Sequence, residues 1–123
     1  MPHPRLLILL AALNGLLAVG VGAFGAHGIT DPQARDWIRT ATLFQLPHAA
    51  AAIAILAWRP RARVAPWLML LGALLFAGSL QALALGAPRS AGMLAPVGGS
   101  LMILGWLVLA AAAFTNDSTN GRR

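Results

Sequence analysis

Few side chains away from the ends of this chain could do chemistry, and they are uncharged: Asn14, His27, Gln45, His48, Ser79, Gln81 and Ser100. Of these types only imidazole changes charge in the physiological range. Gln45 and His48 lie three residues apart, so one helix would present both on a single face. Metal or haem binding needs ligands that converge, and the imidazoles are His3, His27 and His48. Only His27 and His48 could meet, and two imidazoles without a carboxylate are a weak donor set. The acids are Asp31, Asp36 and Asp117, which leaves no paired carboxylates and no Ser-His-Asp arrangement. With no Cys in the chain, thiolate nucleophiles, CxxC redox pairs and Cys-ligated zinc or iron-sulfur centres are closed as well. The expectation is a protein that is not an enzyme and holds no metal or cofactor.

The elements that must position these residues are set by an apolar composition. Of 123 residues, 59% are apolar and 10% charged, against roughly 45 to 50% and about 25% in a soluble domain. Four uncharged runs follow: Leu6 to Phe24, Thr40 to Trp58, Pro66 to Gly86 and Leu94 to Phe114. Each is long enough to cross about 30 Å of hydrocarbon as a helix, where only helices and closed barrels satisfy the backbone. None alternates with period two, so the expected fold is all-α, an integral membrane four-helix bundle over residues 1–114, followed by a polar tail over 115–123. The first run also has features of a secretory signal: Arg5, an apolar stretch, and Ala23-Phe24-Gly25 as a small-x-small site. Its length, the Asn14 near its middle and the three spans that follow favour a retained helix.

Nine Arg against three Asp give a net charge of +6. The Arg flank apolar runs instead of clustering with aromatics, so no nucleic-acid partner is expected. Arg5, the Arg59-Arg61-Arg63 loop and the Arg122-Arg123 pair fall on one side of four spans, and Arg35, Arg39 and Arg89 on the other. The larger share marks the cytoplasmic face, which predicts both termini inside. Trp58 and Trp67 border the basic loop, at the depth where indoles sit. On the other side Asp31 suits a helix N-cap, Pro32 the first helical position, and Asp31 with Arg35 an i, i+4 pair. A helix starting there meets no breaker until Pro47, which should bend it.

By helical rise, the polar residues other than Asn14 fall in the outer half of the bilayer. An unpaired amide or imidazole buried there costs about 1 to 3 kcal/mol, which predicts one interhelical network converging near the outer leaflet. Two readings of it stay open: polar contacts that hold helices together, or a small polar pocket for a proton, ion or ligand, as a small transporter or channel component would have. Small residues predict close helix approach: Gly22 in a stripe with Asn14 and Ala18, Gly25 one turn on, Gly78 with Ala82 and Gly86, and Gly98-Gly99 after Pro96 as a packing notch or a local break. Partners would be membrane lipids, a second copy, or another membrane protein.

Four segments in register resemble a known family: Gly22-Ala23-Phe24-Gly25-Ala26-His27; Trp37-Ile38-Arg39-Thr40 with Phe44-Gln45-Leu46-Pro47-His48; Leu75-Phe76-Ala77-Gly78-Ser79-Leu80; and Pro96-Val97-Gly98-Gly99 with Gly105-Trp106. The chain resembles the YgdD and transmembrane protein 256 family of small four-helix membrane proteins. The resemblance runs from about residue 6 to 114. It implies a bacterial inner-membrane location and a four-helix fold, but no reaction. The residues usually shared would here be Gly25, His27, Gln45, His48, Gly78, Ser79, Pro96, Gly98, Gly99 and Trp106. Relatives often carry Tyr where this chain has Phe44 and Gln81, so neither position offers a phenol hydroxyl here.

Overall fold

A computed structural model describes residues 4–115, and these form an all-α fold. Four long helices follow in order: α1 (Arg5–Gly28), α2 (Pro32–Trp58), α3 (Val64–Ala84) and α4 (Leu94–Phe114), with a 3₁₀ turn (Arg89–Met93) leading into α4. All four are long and apolar enough to cross a membrane. No strand occurs among the described residues. The tail expected over 115–123 lies outside the described residues beyond Thr115.

The helix ends follow local chemistry. Asp31 caps α2, its carboxylate accepting from the Ala34 amide at 2.9 Å, with Pro32 in the first turn. This is the arrangement that an N-terminal turn with unsatisfied amides favours. The expected Asp31–Arg35 pair is not what the structure holds. With Asp31 occupied by the cap, Arg35 donates instead to the Ala26 carbonyl in the last turn of α1, at 3.4 Å. The ion pair in this segment is Asp36–Arg39 at 3.7 Å. At the far end of α3 the chain turns through Gly86, whose φ of 102° is a conformation that side chains with a Cβ resist.

The third helix is the hub: α1, α2 and α4 all pack on it, and α1 also packs on α2. Its burial reflects this, since Ala65, Met69, Leu70, Gly72, Ala73 and Ala77 are all buried. The seam between α3 and α4 is backbone against backbone. A Cβ on Gly98 would stand 2.4 Å from the Phe76 nitrogen and 2.6 Å from the Gly72 carbonyl, and one on Gly72 would stand 2.7 Å from the Gly98 carbonyl. Gly105 extends the seam one heptad on, against Met69. Pro96 and Gly98-Gly99 therefore sit in unbroken helix, and Gly98 is a packing notch. Between α1 and α2, Gly25 lies on Ile38 and Gly22 on Thr42, the latter leaving room for the Thr42 hydroxyl to donate to the Ala18 carbonyl at 3.2 Å. Gly78 meets nothing within 4 Å and Gly99 only the edge of the Phe76 ring.

Loop to helix, the basic side is closed by Arg59. Its guanidinium donates to the Ala112 carbonyl at 2.7 Å and to the Thr115 hydroxyl at 3.4 Å. It also stacks 4.4 Å from the Trp58 ring. A cation on the last carbonyls of α4 is the favourable end of the helix dipole.

Candidate functional site

Three helices each contribute one buried amide to a single line of hydrogen bonds. Gln81 of α3 donates Nε2 to the Gln45 Oε1 at 2.9 Å, and Gln45 of α2 donates Nε2 to the Asn14 Oδ1 at 3.0 Å. Asn14 of α1 donates Nδ2 to the Leu10 carbonyl at 2.9 Å and the Leu70 carbonyl at 3.3 Å. The direction of the line is fixed by its end. Backbone carbonyls only accept, so Asn14 must turn its NH2 toward them and its oxygen toward Gln45, which then presents its own NH2 and leaves its oxygen for Gln81. Asn14 and Gln45 are wholly buried, and Gln81 is 6% exposed. In so apolar a place a line pointing one way throughout polarises each member in the sense that strengthens the next.

The line runs on a slope. From Gln81 to Leu70 it descends eleven residues of α3, about 16 Å at the helical rise, from the Gly86 end toward mid-bundle. The expected convergence on one spot near a leaflet is not what the structure holds: Gln45 bonds Asn14, near the middle of the first apolar run, and the line goes on to Leu70.

His48 lies on α2 one turn beyond Gln45 and joins a different partner. The Trp106 indole of α4 donates to its Nε2 at 3.0 Å, with the rings edge to face at a 5.8 Å centroid distance. On the other side Nδ1 lies 2.6 Å from the Phe44 carbonyl. An indole N–H can only donate and a carbonyl can only accept, so both contacts are met by the neutral ring with its proton on Nδ1. Pro47, just before it, has no amide to offer the Leu43 carbonyl. Phe44 itself packs edge-on to Phe76 of α3, 5.0 Å between centroids, in a place where no hydroxyl is required.

The remaining polar residues are elsewhere. Ser79 is buried and donates to the Ala91 carbonyl at 2.7 Å, which ties the 3₁₀ turn to α3. Ser100 is exposed and bonds its own helix, at the Pro96 carbonyl. His27 is exposed in the last turn of α1, away from His48. Among the described residues no cluster of three or more His or acids could hold a metal. Three contributors were not among the residues singled out for polarity: Trp106, whose indole donor is hidden in an apolar residue type; Thr42; and Arg59. For Trp106 the signal was available, because a buried or interfacial indole seeks an acceptor.

Fold and site together define a small membrane protein of four apolar helices, its interior amides paired across helices α1, α2 and α3. The chain belongs to the family described as protein of unknown function (DUF423), whose model matches residues 21–99. It is 40% identical to a UPF0382 membrane protein of Staphylococcus epidermidis over 115 residues, covering 88% of this chain and 94% of the relative. Similar figures hold for a UPF0382 membrane protein of Haemophilus influenzae, at 40% identity over 89% of this chain and 94% of the relative. The UPF0382 membrane protein YwdK of Bacillus subtilis is 37% identical over 89% of this chain and 96% of its own length. No solved structure matches the chain.

Proposed function

We propose that this protein is a non-enzymatic helix bundle of the bacterial inner membrane that acts by binding, with its interior polar groups spent on holding the helices in place. The observation that carries this reading is the line Gln81→Gln45→Asn14→Leu70, in which Gln81 donates to Gln45, Gln45 and Asn14 both give and receive, and Asn14 is anchored on backbone. Groups engaged in this way are glue of the kind that joins membrane helices, each contact worth about 0.6 kcal/mol on average. His48 supports the same reading, since both ring nitrogens are directed at protein partners. Binding partners in the plane of the membrane are lipids, a second copy, or another membrane protein. By the excess of Arg on the side of the Arg59-Arg61-Arg63 loop, both termini face the cytoplasm.

Water access tests the reading against that of a transporter. Single variants Gln45→Cys, His48→Cys and Gln81→Cys are made in the Cys-free chain and treated in intact membranes with an impermeant thiol reagent. Protection at all three positions is expected. Labelling at two or more would mean that water enters among these side chains, and would replace the bundle with a polar pocket of the kind a small transporter or channel component needs.

A further inference from the structure

On the lipid-facing side of α1 and α2 lies an open groove of about 430 Å³, within the range of small-molecule sites. Its existence follows from residue size. Ala18, Gly22, Ala23 and Ala26 on α1 are too small to fill the space beside Leu43 on α2. Apart from Thr42, whose hydroxyl is held by the Ala18 carbonyl, the groove is apolar except at one end, where Arg35 and Arg39, one helical turn apart, line it, and no carboxylate does.

These two cations are poorly satisfied by the protein. A guanidinium carries five N–H donors, and Arg35 places one of them 3.4 Å from the Ala26 carbonyl while its Nε is shut away from solvent with no hydrogen-bond partner. Arg39 has its Asp36 contact at 3.7 Å, with both side chains about three-quarters exposed at 72% and 73%, and such a pair holds weakly. Asp31 is used as the cap of α2. A planar fork with spare donors matches phosphate oxygens, and long Arg stems bring that charge to headgroup depth while lying on apolar surface.

We propose that this groove binds an anionic phospholipid, one acyl chain lying along Ala18, Gly22 and Leu43 and the phosphate held by Arg35 and Arg39. The lipid belongs to the leaflet opposite the Arg59–Arg63 loop. The proposal specifies a ligand class for the binding reading above and rests on it.

Native mass spectrometry tests it on the full chain reconstituted in bilayers of equal phosphatidylglycerol and phosphatidylcholine and released into mild detergent. With each of the two cations near the surface contributing about 1 kcal/mol, the wild type should retain phosphatidylglycerol about thirtyfold over phosphatidylcholine. The double variant Arg35→Gln/Arg39→Gln should retain the two equally. Arg61→Gln/Arg89→Gln, which removes the same charge elsewhere, should keep the preference. Ala23→Trp, which fills the groove and leaves the charge alone, should lower retained lipid of both kinds. The proposal is overturned if Arg35→Gln/Arg39→Gln keeps the wild-type ratio, if the control double variant loses it equally, or if the chain emerges as a lipid-free dimer. Circular dichroism of every variant confirms the helices, and the thiol-protection result stands or falls separately, so failure of the lipid site and failure of the bundle reading are told apart.

Discussion

Gln45 is the residue on which the interior depends most, because it is both an acceptor and a donor between two other buried amides. Gln45→Ala strands the Asn14 oxygen and the Gln81 amide at once. The expected loss is about 1 to 3 kcal/mol in reversible unfolding in detergent, the range for leaving a buried polar group unmade. Gln81→Ala should cost less, since it removes the last member of the line and leaves Asn14 with Gln45. A Gln45→Ala variant as stable as the wild type would show that the amides find other partners. Much at this scale was legible beforehand: Asn14, Gln45 and Gln81 stand out as amides in apolar runs, and expense in hydrocarbon implies that they meet. The grouping was not legible. Whether His48 joins Gln45 or turns to another helix depends on a rotation of α2 that spacing alone does not give, and its partner Trp106 counts as apolar in any pattern of polar residues.

Among the elements, the α3–α4 seam and the opposite side of α3 make contrasting predictions about the same change. Gly98→Ala puts a methyl group 2.4 Å from a backbone nitrogen of α3, which side-chain motion cannot relieve. Separating the helices should cost about 1 to 3 kcal/mol, as overpacking does. Gly78→Ala meets open space, and a helical Gly-to-Ala change there should stabilise by roughly 0.5 to 1 kcal/mol. Thermal unfolding of the two variants side by side checks both signs. The apolar runs placed α4 at Leu94 to Phe114 as observed, and the Asp31-Pro32 signal placed the start of α2. A stripe of small residues, by contrast, marks where close approach is allowed but not which face uses it. Gly78, Ala82 and Gly86 form such a stripe, yet the tight contact is made by Gly72, which has no small partner one turn away on the Gly98 side of the pattern.

For the molecule as a whole, Arg59 joins the α2–α3 loop to the C-terminal end of α4, so that loop, the start of α1 and the end of α4 share one side of the bundle. In the topology proposed above that side is the cytoplasmic one. Single-Cys reporters at Ala62 and Ser90 should label from opposite faces of sealed inverted and right-side-out vesicles, with position 62 accessible from the cytoplasmic face. Accessibility of position 62 from the outside would reverse the topology, and with it the leaflet of the α1–α2 groove. The number of helices and their alternation were readable from hydrophobicity because lipid imposes one solution on the backbone. That α3 is the hub was not readable, since helices in lipid lack the polar outer face that would distinguish a central helix from a peripheral one.

The placement of Gln81 on the third helix has a further consequence for the first two. The first hairpin can close Asn14 on Gln45 by itself, but the Gln45 oxygen takes its donor from Gln81 and the Asn14 amide its second acceptor from Leu70, both on the third helix. A chain of the first two spans alone would therefore hold one amide oxygen and one N–H without their α3 partners, at about 1 to 3 kcal/mol for each such group left unpaired in hydrocarbon, so the third span completes the hairpin as well as joining it.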